Sequence, residues 1–218
     1  MRARSRLLTL VDFESARLAS RFGVRAANVL GVLIATGFAI LLIAAGRDGA
    51  ALAPGVVARA LSWLSWVVAG SAALAAAREL GARGPHDGFA TLAAQRGFSG
   101  AALAPARVVA AGFRIARSVA VPGFALALLA AALADSAARF GGALLLAVKV
   151  LGYSALLGAT LAVLARWSAL LQPQRAGLLF AAFVLLPEIF RDSYSGVPSL
   201  PHLFGALLDR IATRGALE

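Results

Sequence analysis

Long apolar runs bounded by charged residues constrain this chain more than any motif in it. Residues 26–46, 60–77, 118–134, 140–165 and 176–190 are each almost free of charge. The first is closed by Arg47-Asp48, the second by Arg78-Glu79, the third by Asp135 and the fourth by Arg166-Trp167. A spanning helix needs about 20 apolar residues, because each residue rises about 1.5 Å through a hydrocarbon core about 30 Å thick. Four runs meet that length or approach it. The fifth covers only about 22 Å and requires local thinning or a helical continuation to cross.

Composition agrees. Of 218 residues, 61% are hydrophobic and 14% charged, against about 45–50% and about 25% in soluble domains. Mean hydropathy is +0.84. A water-soluble fold of this size would expose far more apolar surface than such proteins tolerate, so a soluble globular enzyme is excluded. The expected fold is an all-α polytopic membrane protein, a single membrane domain over residues 1–218. It has five spans, or six if the tail folds back. With no cysteine, the chain has no disulfide, thiolate metal site or cysteine nucleophile.

The net charge of +11 could point to nucleic acid, but the basic residues sit at the ends of the apolar runs. With the N-terminus inside, fourteen arginines fall in cytoplasmic segments and three (Arg47, Arg59 and Arg139) in outer loops before the tail. The positive-inside rule then places the N-terminus in the cytoplasm. The basic charge is topology, and no nucleic-acid partner is expected. The expected location is the bacterial cytoplasmic (inner) membrane, multi-pass. The apolar stretch 7–11 is interrupted by Asp12 and Glu14 and is too short for a signal-peptide core.

Two segments read as amphipathic helices. Over residues 5–23, Leu7, Val11, Leu18 and Phe22 share one stripe, with Arg17 and Arg21 beside it. This pattern suits a helix in the cytoplasmic membrane interface; a short connector is the bland alternative. In the tail, 199–214, Leu203, Phe204, Leu207, Leu208 and Ile211 share a face that His202, Asp209, Arg210 and Arg214 avoid. Ser199 and Pro201 supply a cap and first turn. The tail is expected against the protein or the outer interface. Between the second and third spans lies the longest internal polar stretch, 78–107. There Asp87-Gly88 can open a short helix through Phe89, Thr91, Leu92 and Gln95, closed by Gly97. An ordinary loop is the alternative.

Catalytic constellations are missing from the sequence. The only lysine, Lys149, lies in a hydrophobic run, so no P-loop exists. His86 and His202 are far apart, no HExxH occurs, and Ser99 is wrongly spaced for a nucleophile elbow. The chain is expected to be non-enzymatic, with no cofactor and no metal of its own. Arg114 and Arg117 can snorkel to headgroups. Lys149 is different: a charge deep in a span should face a partner or a wet cavity. By expected depth Glu188 is that partner, with Arg191 competing for it. If the fourth span starts later, Lys149 sits at the outer interface instead.

The order of parts resembles the permease subunits of type-2 ATP-binding-cassette (ABC) exporters, in particular the small haem-exporter-like permeases of cytochrome c maturation. The matching residues are Glu79, Gly88 and Leu92, within Arg78-Glu79 and Asp87-Gly88-Phe89-Ala90-Thr91-Leu92, in a cytoplasmic segment after the second span. The resemblance implies that this segment, including Gln95, is the coupling helix that docks on a cytosolic ABC ATPase dimer. It implies that 5–23 is the elbow helix, and that a second permease copy completes the path. ATP and Mg²⁺ would be held by the ATPase. The stretch from Pro187-Glu188 to Pro201 is similar to the outer helical hairpin after the family's fifth span. The chain departs from the family at Gly97 and Arg107, where proline and lysine are usual, and in lacking a full sixth span. The competing class is a non-ABC membrane scaffold subunit or a small secondary transporter. A transporter would carry inverted repeats and broken helices.

Overall fold

The computed structural model describes residues 2–46, 49–82, 95, 98, 100–190 and 199–213. Every element among them is helical, as expected for a chain whose backbone polar groups must be satisfied within each segment in lipid. In order they are α1 (Arg2–Ala19), α2 (Phe22–Ala44), α3 (Gly49–Trp63), a π-helical segment (Leu64–Ala69) and α4 (Gly70–Ala82). Then come α5 (Gly100–Ala132), α6 (Ala137–Leu171), a 3₁₀ turn (Pro173–Arg175), α7 (Ala176–Ile189) and α8 (Leu200–Thr213). Helix α3, the π segment and α4 run on without a break. Among the described residues, four helical stretches are long and apolar enough to cross a membrane: Phe22–Ala44, Leu52–Ala82, Leu103–Ala132 and Ala137–Leu171. The protein is an all-α polytopic membrane protein.

Three of these helices exceed the apolar runs that announce them. The second run, 60–77, extends to Ala82 and back through α3, so Arg59 and Arg78-Glu79 lie within helix. The third, 118–134, begins at Gly100 and takes in Arg107, Arg114 and Arg117. The fourth, 140–165, continues to Leu171. Arginine marks where a helix leaves the apolar layer, and as a good helix former it does not end the helix there. The fifth run, 176–190, becomes α7, whose 14 residues rise about 21 Å.

Helix ends have local causes. Ser20 Oγ donates to Arg17 O at 2.7 Å, and Arg21 takes an extended conformation (φ −74°, ψ 138°), which separates α1 from α2. After α2, Gly46 adopts φ +57°, the left-handed position that glycine fills at helix C-termini. Ser136 caps α6 by accepting from the Arg139 N–H at 3.3 Å.

The core is alanine-rich. Helices α5 and α6 pack along their lengths as an antiparallel hairpin, and α2 lies across α5 and the α3–α4 helix. Within that hairpin Gly158 makes the closest approach. A Cβ there would lie 2.5 Å from Gly112 O and 2.7 Å from Ala116 Cβ, so the hairpin closes only around glycine. Helix α1 rests on the first turns of α5, with Leu10 buried against Leu103 and Ala106.

The stripe read over 5–23 changes in folding. Phe22 opens α2 and is 86% exposed, whereas Leu10, Glu14, Ser15 and Leu18 are buried. Val11 and Leu18 of the stripe pack against the bundle, while Leu8 and Phe13 of α1 stay exposed.

Candidate functional site

The polar chemistry of the described residues concentrates at the face of the bundle where α1 lies. Glu14, in the third to fourth turn of α1, has no exposed surface. Its Oε1 lies 3.1 Å from Arg107 Nε, in the third turn of α5, and Arg107 is 14% exposed. A buried carboxylate is strongly disfavoured unless paired and hydrogen-bonded, and Arg107 supplies both the charge and the donor. Two turns along the same face of α5, Arg114 Nε donates to the Ser15 carbonyl at 2.8 Å and the Ser15 hydroxyl at 2.7 Å. The Ser15 carbonyl lies just before the last turn of α1, near the helix end where a cation is favoured by the dipole. Arg114, read as a snorkelling residue, thus reaches inward to α1.

A third contact completes the arrangement. Arg21, at the joint between α1 and α2, meets Glu79 near the end of α4, with Nε–Oε1 2.7 Å and a second guanidinium nitrogen 3.2 Å from Oε2. Glu79 and Arg107 stand on either side of the polar stretch between the second and third long helices. The N-terminal helix and its joint are therefore fastened to both flanks of that stretch at once.

Of the expected docking residues, Glu79 is half-buried in this clamp. Arg78 is exposed and lays its stem across Gly177 of α7: a Cβ on Gly177 would come within 2.8 Å of Arg78 Cγ. Gln95 is exposed. Asp87, Gly88, Phe89, Thr91 and Leu92 lie outside the described residues.

Lys149 and Glu188 are placed on α6 and α7. Glu188 accepts a hydrogen bond from the Ser199 hydroxyl. Lys149 is half-buried, and no described ion pair or hydrogen bond joins it to Glu188. Among the described residues no group of three His, Asp or Glu could hold a metal ion.

A separate polar pair lies in the interior. Ser65, in the π segment, donates to Leu61 O at 2.6 Å. With its one proton so used, it accepts from the Tyr153 hydroxyl, 2.8 Å away. The Tyr153 ring meets Phe204 of α8 edge-on, with centroids 5.6 Å apart.

Sequence reasoning passed over Glu14, Ser15, Ser65 and Tyr153. Glu14 did carry a signal. At spacings of 7, 11, 14 and 18 it falls on the same stripe as Leu7, Val11 and Leu18, and a carboxylate on an apolar stripe calls for a buried cation. Ser65 and Tyr153 carried none, because serine and tyrosine are common in spans.

Compared with known proteins, the chain matches no family model, no curated protein and no solved structure.

Proposed function

We propose that this chain is the permease subunit of an ABC transporter of the exporter type. It is itself non-catalytic, and it moves a substrate across or out of the bacterial cytoplasmic membrane with α1 on the cytoplasmic side. Two permease copies work with a cytosolic ABC ATPase dimer that binds ATP and Mg²⁺. The observation that carries this reading is the clamp. The stretch between Glu79 and Arg107 is where an ATPase would dock, and both of its flanks are ion-paired to α1 or to the α1–α2 joint.

The clamp suits mechanical transmission. ATP binding closes the ATPase dimer and displaces the docked stretch. The ends of α4 and α5 move with it. Arg21 and Glu14 oblige α1 and the start of α2 to follow, because breaking the buried pair leaves an uncompensated charge. The membrane helices then shift as packed bodies, and the cavity between the two permease copies changes shape. No step requires a catalytic residue in this chain.

The test is reconstitution of the full chain with its candidate ATPase in proteoliposomes. Asp87→Arg and Leu92→Arg are expected to abolish stimulated MgATP hydrolysis while membrane insertion is unchanged. An ATPase that copurifies with such variants and turns over normally contradicts the docking assignment. A pure chain that transports with no nucleotide hydrolase present contradicts the whole reading.

A further inference from the structure

Helices α7 and α8 have 14 residues each. Each rises about 21 Å, too little to cross a core of about 30 Å alone. Their packing divides the second long helix between them. Helix α7 lies along α4 and α6, and α8 lies along α3. At the start of α7, Gly177 abuts Arg78, and Gly81 abuts the preceding turn so closely that a Cβ on it would strike Pro173 O. That end lies at the α1 face. Phe204, in the second turn of α8, reaches Tyr153, and Tyr153 is bonded to Ser65 near the middle of the second long helix. Because α3 and α4 are successive parts of one continuous helix, α7 and α8 follow it in succession, α7 from the α1 face inward and α8 from there outward.

The joint between them is chemically specific. Ser199 is 1% exposed. Its oxygen accepts from the His202 N–H at 3.2 Å, capping α8, and its proton goes to Glu188. In the last turn of α7 a carboxylate opposes that helix's dipole. Beside the first turn of α8 it is favoured by the other's. Glu188 therefore serves α8, although it belongs to α7. The outward side of α7 is apolar, with Leu178, Leu185 and Ile189 exposed, as on a lipid-facing surface. Helix α8 exposes His202 and Leu203 near its start and Asp209 and Arg210 near its end, about 14 Å beyond Leu200, where a crossing that starts at mid-bilayer reaches the headgroups.

We infer that α7 and α8 are two halves of one discontinuous membrane crossing, fastened within the bilayer by Glu188 and Ser199, so that α8 ends at the face opposite α1. This does not depend on the transport reading, and its test uses no ATPase.

The chain has no cysteine, so single cysteines report directly in the full-length protein. Ala16→Cys, on the exposed side of α1, and Arg210→Cys, exposed in the last turn of α8, are treated with a membrane-impermeant maleimide in intact spheroplasts and in inverted vesicles. The two sites are expected to react from opposite sides, each at least ten-fold faster on its own. Reaction of both from the same side overturns the crossing. In the Arg210→Cys chain, Glu188→Ala is expected to cut the correctly oriented fraction several-fold, and Glu188→Asp to restore most of it. An unchanged fraction with Glu188→Ala overturns the role of Glu188.

Discussion

Glu14 of α1 and Arg107 of α5 are 93 residues apart in sequence and 3.1 Å apart in space, and Glu14 is closed off from the surface. The pair lies in the same packed layer as Leu10, Leu103 and Ala106. Helix α1 is thereby part of the helical bundle, held by ionic as well as apolar contacts.

Removing one partner of this pair should cost far more than removing both. Glu14→Ala leaves the Arg107 guanidinium buried and is expected to cost about 3–5 kcal/mol. Replacing both residues by leucine is expected to recover most of that loss. Thermal unfolding of the detergent-solubilised protein, arranged as a double-mutant cycle, measures the difference. A loss in the double variant equal to the sum of the two single losses would show that the pair is not energetically coupled.

The Arg21–Glu79 pair should behave differently, because both side chains keep solvent contact (46% and 19% exposed). Reversing one charge is expected to change stability by at most about 1 kcal/mol. Under the proposed function, Glu79→Arg nonetheless abolishes stimulated MgATP hydrolysis. The exchange Arg21→Glu with Glu79→Arg restores at least half of it. If stability and stimulation fall together and the exchange rescues neither, the contact transmits nothing.

The sequence carried the membrane character and the helix order because both are written in long runs, and hydrophobic length is a coarse signal. It misplaced the start of the third long helix for a physical reason. Arg107, Arg114 and Arg117 bear the charge of a loop but the propensity of a helix, and a helix outside the apolar layer can turn that charge towards a neighbour. The stripe of α1 was visible, yet its destination was not: periodicity says that a face is buried and is silent on whether lipid or protein buries it. Glu14 decides the matter, since a carboxylate on that face needs a cation that only the folded chain supplies.

Tyr153 and Ser65 give a test of proton placement. Ser65 donates to Leu61 O, so Tyr153 is the donor between them. Tyr153→Phe removes that donor, leaves Ser65 bonded and keeps the ring against Phe204, and is expected to cost about 0.5–1.5 kcal/mol. Ser65→Ala strands a buried hydroxyl and should cost more, about 1–3 kcal/mol. Thermal unfolding of the two variants ranks them, and the reverse order contradicts the assigned donor.

Gly158 and Gly112 face each other across the α5–α6 hairpin but differ in room. A Cβ on Gly112 would find its nearest neighbours at 3.4 Å, whereas one on Gly158 would lie 2.5 Å from a backbone oxygen. Backbone cannot give way as a flexible side chain can, so Gly158→Ala must push the two helices apart. It is expected to cost about 1–3 kcal/mol, and Gly158→Leu more. Gly112→Ala should stay within about 0.5 kcal/mol of the parent, its loss of packing slack offset by the lower chain entropy of alanine when unfolded. Gly37→Ala, where nothing lies within 4 Å, controls for the general effect of alanine in a helix. Thermal unfolding in one detergent compares all four. If Gly112→Ala proves as damaging as Gly158→Ala, the hairpin does not close on Gly158 in the way its geometry requires.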